Sequence, residues 1–310
     1  MSIDVNTLLK ERSEDFKFEL LTGSKGVDRV ITVPDINRPG LALAGFFEHF
    51  PYERIQVLGV MEHIYLNRLD HDTQRRLLER IFSNEKAVGC ILTRNLEPTT
   101  AMIKVFSDLD VPLLKTELRS SSFIGDLIYY LRDKLAPSIK VHGVMTSVYG
   151  LGVLIIGKSA IGKSECALEL VKRGHKLVVD DIVNIKKRSW CTLIGSSLDL
   201  TKHLMEVRGI GVIDIKELFG TGNILDEAHI ELVIELEEWD PTKQYERMGM
   251  DEHYTDYLNV KIPKVTIPVG PGRNLAVLVE TASLNQRVKN NGYFAAKNLS
   301  DKLQKEINKN

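Results

Sequence analysis

The run Gly157-Lys158-Ser159-Ala160-Ile161-Gly162-Lys163-Ser164 has the spacing GxxxxGK[ST]. In such a run the glycines let the backbone turn several N–H groups toward one anion. The lysine reaches the outer phosphates of a nucleotide, and the last hydroxyl ligates Mg²⁺. Residues 153–156 before it are a hydrophobic run of strand character. Residues 164–172 after it repeat apolar side chains at helical intervals (Cys166, Leu168, Leu170, Val171), so the loop joins a strand to a helix N-terminus. A plain glycine turn bearing a surface lysine needs neither flank. Lys158 adds a second cation, read either as a solvated side chain or as extra attraction for free anions such as inorganic phosphate.

Carboxylates and arginines follow. Residues 176–181 (KLVVDD) predict a strand that returns beside the phosphate-loop strand and ends in Asp180 and Asp181. Successive strand residues face opposite ways, so the two acids should differ in role. One accepts a proton from an attacking hydroxyl near the γ-phosphate, and the other orients a metal-bound water. In residues 204–214 (LMEVRGIGVID), Glu206 and Arg208 lie two apart, on one side if extended. A carboxylate helps hold Mg²⁺, and a guanidinium stabilises charge on a transferring phosphoryl group. Gly209 and Gly211 would let backbone pass close to a ligand. Arg247, in YERMG, is a further candidate cation. Pro268-Val269-Gly270-Pro271-Gly272-Arg273 reads as a rigid loop ending in a cation before a helix that starts at Asn274. Taken singly, each is more often a surface ion pair or a helix-entry turn.

The elements that must position these residues fall into two parts. A chain of 310 residues suits two domains, and Ala136-Pro137-Ser138 stops an amphipathic helix over 121–135, which places the boundary between 1–135 and 136–310. In the first part, strand runs at 55–60, 88–92 and 112–114 alternate with helical patterns at 66–81 and 99–109. This predicts a small α/β domain with parallel strands and a recognition or assembly role. In the second part, 139–148 and 149–156 are strand-rich. Near the C-terminus, Leu299, Leu303 and Ile307 form a four-residue stripe on a helix, which either packs on its own domain or meets another chain.

Composition narrows the classes. The chain has 41 Lys+Arg against 42 Asp+Glu, a net charge of −1. Of these, 18 basic and 20 acidic residues precede Pro137, and 23 and 22 follow. Neither part has the positive field of a nucleic-acid or membrane-surface binder. Cys90, Cys166 and Cys191 are too few and too scattered for a disulfide framework or a zinc site. No apolar run is long enough to cross a bilayer, and the first residues do not read as a signal peptide, so a cytoplasmic protein is expected.

Taken in order, GKSAIGKSE (157–165), LVVDD (177–181), MEVRGIGVID (205–214) with ELFG (217–220), YERMG (245–249) and PVGPGR (268–273) resemble the HPr kinase/phosphorylase family. The MEVRGIG block is far more specific than the phosphate loop, and the likeness spans all of 136–310. The first part resembles the family's N-terminal domain by length and pattern. The resemblance implies a bifunctional enzyme. It phosphorylates a serine of HPr, the phosphocarrier of the bacterial sugar phosphotransferase system, with ATP, and it removes that phosphate with inorganic phosphate, releasing pyrophosphate. It implies an α/β N-terminal domain, a P-loop kinase domain related to phosphoenolpyruvate carboxykinases, and a homohexamer. By position, Lys163 and Ser164 are the loop lysine and Mg²⁺ ligand, Glu206 is the second metal-binding residue, and Asp181 is the proton acceptor and donor. His142 and Arg247 match the remaining active-site positions. The family's C-terminal end lies near a neighbouring subunit and helps form the protein-substrate surface.

The family's loop usually has Asp at its second position and Gly at its fourth, where this chain has Lys158 and Ala160. A left-handed backbone at 160 would cost alanine about 1 kcal/mol. Two other readings of the same residues are a small-molecule kinase on this scaffold and a nucleotide-sensing regulator, although a pure sensor needs no base beside the γ-phosphate.

Overall fold

The computed structural model describes residues 2–198, 202–243, 245, 251–270 and 272–307. The chain forms two compact units, Met1–Ala136 and Pro137–Asn310.

Unit 1 begins with β1 (Ile3–Asp4), α1 (Val5–Phe16), β2 (Phe18–Thr22), β3 (Val30–Ile31), β4 (Ile36–Asn37) and α2 (Gly40–Leu43). It continues with β5 (Ile55–Leu58), α3 (Val60–Asn67), α4 (His71–Phe82), β6 (Cys90–Leu92), α5 (Thr100–Asp108), β7 (Leu113–Thr116) and α6 (Ser120–Leu135). Its main sheet has the order β2-β7-β6-β5-β4. The pairs β4–β5, β5–β6 and β6–β7 are parallel, and β2 closes the edge antiparallel to β7. Short parallel strands are covered on both faces. Leu58 and Leu92 pack with Leu66, Leu78 and Phe106 of α3, α4 and α5, while Val57 and Ile91 pack with Leu8 of α1 and Phe123 and Leu127 of α6.

The helical pattern read as continuous over 66–81 is two helices. The Asp70 carboxylate accepts the Thr73 N–H at 2.9 Å and starts α4 afresh after a break at 68–70. Apolar spacing alone hid that cap, because Leu66, Leu69, Leu78 and Ile81, on either side of the break, pack into the same core. The strand expected to run to residue 60 stops at Leu58, where Gly59 begins α3.

Unit 2 opens with β8 (Ser138–His142), β9 (Val144–Val148), β10 (Leu151–Gly157), α7 (Lys163–Lys172), β11 (Lys176–Val179), β12 (Ile182–Lys187) and β13 (Leu193–Ser196). There follow β14 (Leu204–Val207), β15 (Gly211–Asp214), α8 (Ile215–Phe219), β16 (Glu227–His229) and β17 (Leu232–Glu238). The last elements are β18 (His253–Tyr257), β19 (Val260–Val269), α9 (Leu275–Asn290) and α10 (Ala295–Ile307). A six-stranded sheet, β11-β9-β10-β17-β19-β18, lies between α7 and α9 on one face and a four-stranded sheet, β16-β13-β12-β8, on the other. Alternation along β10 divides the two cores. Val153 and Ile155 meet Cys166, Leu170 and Val279, while Leu154 meets Val183, Ile185 and Leu193. At Gly152 a Cβ would sit 1.7 Å from the His229 carbonyl oxygen, so only glycine fits where that strand passes.

The return strand corrects one expectation. β11 pairs with β9, and β9 lies between it and the phosphate-loop strand β10. Both pairings are antiparallel, so β11 still runs parallel to β10. On α10, Leu299 and Ile307 stay exposed and are not buried on their own unit.

Phe123 is fully buried, with its ring edge-on to Phe16 and Phe18 at 5.5 and 5.8 Å. Phe123→Ala should destabilise unit 1 by about 3–5 kcal/mol, measured as a lower urea midpoint of that unit's unfolding transition with the unit 2 transition unmoved.

Candidate active site

Four strands of unit 2 (β10, β11, β17 and β19) run parallel, so their carboxyl ends reach one edge of the sheet. Each is followed there by a segment with chemistry: the phosphate loop after β10, Asp180 and Asp181 after β11, Glu238 and Trp239 at the end of β17, and Gly270 to Arg273 after β19. The carboxyl edge is where open α/β sheets bind ligands.

The loop has the backbone of an anion cradle. Gly157, Ala160 and Gly162 all have positive φ, at 149°, 68° and 100°. Gly162 is the N-cap of α7, so the amides of its first turn open into the loop. Lys163 Nζ donates to the carbonyls of Gly157 (3.1 Å) and Lys158 (2.9 Å), lying back over the loop. Ile161 packs on the core and anchors the loop, while Lys158, Ser159 and Ala160 are exposed. Lys158 is 3.8 Å from Glu238, an exposed pair that screening makes weak. Ala160 does adopt the left-handed conformation, which costs a residue with a Cβ about 1 kcal/mol.

The two acids diverge, for a reason other than strand alternation. β11 ends at Val179, and both acids sit in the bend before β12. Asp181 has φ of 75°, a left-handed residue that throws its side chain outward, away from that of Asp180. Asp180 is 6% exposed and accepts the Ser164 hydroxyl at Oδ1 (2.9 Å) and the Glu206 N–H at Oδ2 (3.3 Å). Burial raises its pKa, opposed by those two hydrogen bonds. Asp181 has a side chain 78% exposed, with Oδ1 3.6 Å from Nδ1 of His142. His142 ends β8 opposite Ile182 of β12, and the Gly143 N–H donates to the Asp181 carbonyl.

Glu206 lies in β14, and Arg208 follows in the turn. Met205 and Val207 are buried while Glu206 and Arg208 are exposed, so the pair shares one side. Gly209, at φ of 83°, lies in that hairpin turn, and Gly211, at 104°, opens β15 opposite Val207, with no atom near where either Cβ would lie. Pro268 belongs to β19, not to a loop. Gly272 has φ of 79°, and Arg273 Nη1 donates to the Pro268 carbonyl at 3.2 Å, folding the segment back before Asn274 caps α9. Arg247 and Pro271 lie outside the described residues. Sequence reasoning missed Trp239, which stacks on Tyr245 (4.9 Å between centroids) under the Arg273 guanidinium (5.2 Å). A lone tryptophan directly after a buried strand was the available signal.

The Ser164 hydroxyl and the Asp180 carboxylate meet at 2.9 Å, and Asp180 also takes the backbone N–H of Glu206, whose own carboxylate is exposed. Hydroxyl and carboxylate oxygens are the donor types a hard cation takes, and Mg²⁺ is usually held by one or two carboxylates together with substrate phosphates.

Residues 133–303 match the HPr Serine kinase C-terminal domain, and residues 3–131 match the HPr Serine kinase N terminus. The chain belongs to the HPr serine kinase family. The HPr kinase/phosphorylase of Thermoanaerobacter sp. (strain X514) is 47% identical over 98% of both chains, and that of Geobacillus thermodenitrificans is 44% identical over 96% of both. A solved structure, the Hpr(Ser) kinase/phosphatase from Coxiella burnetii, is 34% identical over 52% of this chain and 98% of its own, with a TM-score of 0.47.

Three variants at two positions probe this geometry. Asp180→Ala orphans the Glu206 N–H and should cost unit 2 about 1–3 kcal/mol. Asp180→Asn should cost less, since its amide oxygen still accepts one bond; urea unfolding of both ranks them. Ala160→Gly removes the left-handed strain and should raise the unit 2 unfolding midpoint, by up to about 1 kcal/mol.

Proposed function

We propose that the chain is a bifunctional protein serine kinase and phosphorylase. It transfers the γ-phosphoryl group of ATP to a serine of HPr, and it returns phosphoserine to serine by phosphorolysis. Family membership supports the activity and the use of ATP. The observation that carries the mechanism is an exposed carboxylate, Asp181, on the same sheet edge as the phosphate loop.

In the forward direction the loop amides and Lys163 hold the triphosphate. Bound Mg²⁺ would neutralise phosphate charge, with Ser164 and Glu206 as its protein ligands, Asp180 holding the Ser164 hydroxyl and the backbone of Glu206. The serine oxygen attacks the γ-phosphorus, Asp181 takes the hydroxyl proton, and ADP leaves. In reverse, inorganic phosphate lies where the β-phosphate would sit and attacks the phosphoserine phosphorus. Protonated Asp181 then supplies the proton to the departing serine oxygen, and pyrophosphate is released. One acid serves both directions because the proton moves between the same two atoms. His142, beside Asp181, orients that carboxylate. Arg208 and Arg273 supply cations toward the transferring group, and Arg247 is assigned there by its place in the family pattern.

No helix among the described residues is long and apolar enough to cross a membrane. The exposed Leu299 and Ile307 of α10 support a contact with another chain, either a neighbouring subunit of a homohexamer or HPr itself.

Asp181→Asn should abolish both reactions while ATP binding persists, followed by labelled ATP with purified HPr, by phosphate-driven release from phospho-HPr, and by calorimetry. Phosphotransfer at the original rate in that variant would remove Asp181 from the mechanism. Lys163→Ala should weaken ATP binding at least tenfold, and an unchanged calorimetric Kd would exclude its phosphate contact.

A further inference from the structure

Asn274 stands between the phosphate-loop helix and the segment that carries Arg273, and both ends of its amide are engaged. Its Oδ1 accepts the Val277 N–H at 3.0 Å, which caps α9. Its Nδ2 donates to Oε1 of Glu169 at 2.7 Å, and Glu169 lies in α7, the helix that begins at Lys163. The first bond is an ordinary helix cap. The second joins two helices at the end where both leave the carboxyl edge of the sheet.

The surroundings hold that bond in place. Arg173 donates to the same Glu169 oxygen from Nε (3.3 Å) and Nη2 (3.2 Å). The hydrogen bond from Asn274, and after it that from Arg173, keep the Glu169 carboxyl below its ordinary pKa against some desolvation. An ionised carboxylate only accepts, so the amide is the donor. Farther along the same seam, Arg173 and His175 meet the Glu280 carboxylate of α9 at 3.3 and 2.9 Å. At the loop end, a Cβ on Gly162 would lie 3.6 Å from Leu275 Cδ1, and Ile161 and Leu275 share one core.

The segment from Gly270 to Arg273 needs such a tie. Gly270 and Gly272 leave its backbone soft, and Gly272 has φ of 79°. The Arg273 guanidinium is held by the Pro268 carbonyl of β19 at 3.2 Å and by the Trp239 ring after β17 at 5.2 Å. Neither partner belongs to α7. A cation helps a transferring phosphoryl group only where charge develops, so its place relative to the bound phosphates matters. We propose that Asn274 is a positioning residue for phosphoryl transfer. Through its bond to Glu169 it fixes Arg273 relative to the phosphate loop, a role that rests on Arg273 acting as a cation toward the transferring group.

Steady-state kinetics of the full chain with ATP and purified HPr, calorimetric ATP binding and urea unfolding test this together. Asn274→Ser keeps a cap for α9, adds no charge and is too short to reach Glu169. It should lower kcat about tenfold, with the ATP Kd within about twofold of the parent and the unit 2 urea midpoint unmoved. Asn274→Asp also keeps the cap but sets a second carboxylate against Glu169, and should lower kcat as far. Adding Glu169→Gln to Asn274→Asp exchanges donor and acceptor and restores the parent's net charge, so kcat should recover to within about threefold of the parent. Arg273→Ala should itself lower kcat, and Asn274→Ser in that background should cost less than about twofold more. A parental kcat for Asn274→Ser beside an impaired Arg273→Ala would overturn the positioning role alone. So would a full loss from Asn274→Ser in the Arg273→Ala background, no recovery in the exchanged pair, or lost ATP binding with a lowered midpoint. A parental kcat for Arg273→Ala would instead remove Arg273 from the reaction, and the positioning role with it.

Discussion

A phosphate chain bearing several negative charges can be held in a protein only where many donors point at it without being used elsewhere, and the free amides at the start of a helix are such donors. Unit 2 is arranged around that constraint. Four parallel strands bring their carboxyl ends to one edge, and β10 delivers α7 with Gly162 at its cap. The segments after β11, β17 and β19 then reach the same place from different parts of the chain. The cost of a turn tight enough to expose those amides is visible in the backbone, where Gly157, Ala160 and Gly162 all have positive φ.

Asp180 is the joint between the cradle and its surroundings. It is buried, which disfavours its charge, yet it accepts one hydrogen bond from the helix that follows the glycine loop and another from the hairpin that carries Glu206 and Arg208. Its neighbour Asp181 is turned outward by a left-handed backbone and meets His142 from β8. Adjacent carboxylates thereby acquire opposite environments, the buried one suited to fixing geometry and the exposed one to moving a proton.

Local signals in the chain determined a good deal. The phosphate loop with its strand and helix, the MEVRGIG block and the alternation of strands and helices before Pro137 all depend on short-range spacing that any folded context must respect. The break between α3 and α4 and the end of β11 at Val179 were not legible, because caps and bends are set by one or two residues inside a continuing apolar pattern. Tertiary structure alone decided that β9 intervenes between β10 and β11, that Asp180 joins Ser164 to Glu206, and that Arg273 folds over Trp239. Each depends on residues dozens of positions apart meeting at a sheet edge. Sequence spacing carries no information about such meetings until strand order and direction have been chosen by burial of both faces of the sheet.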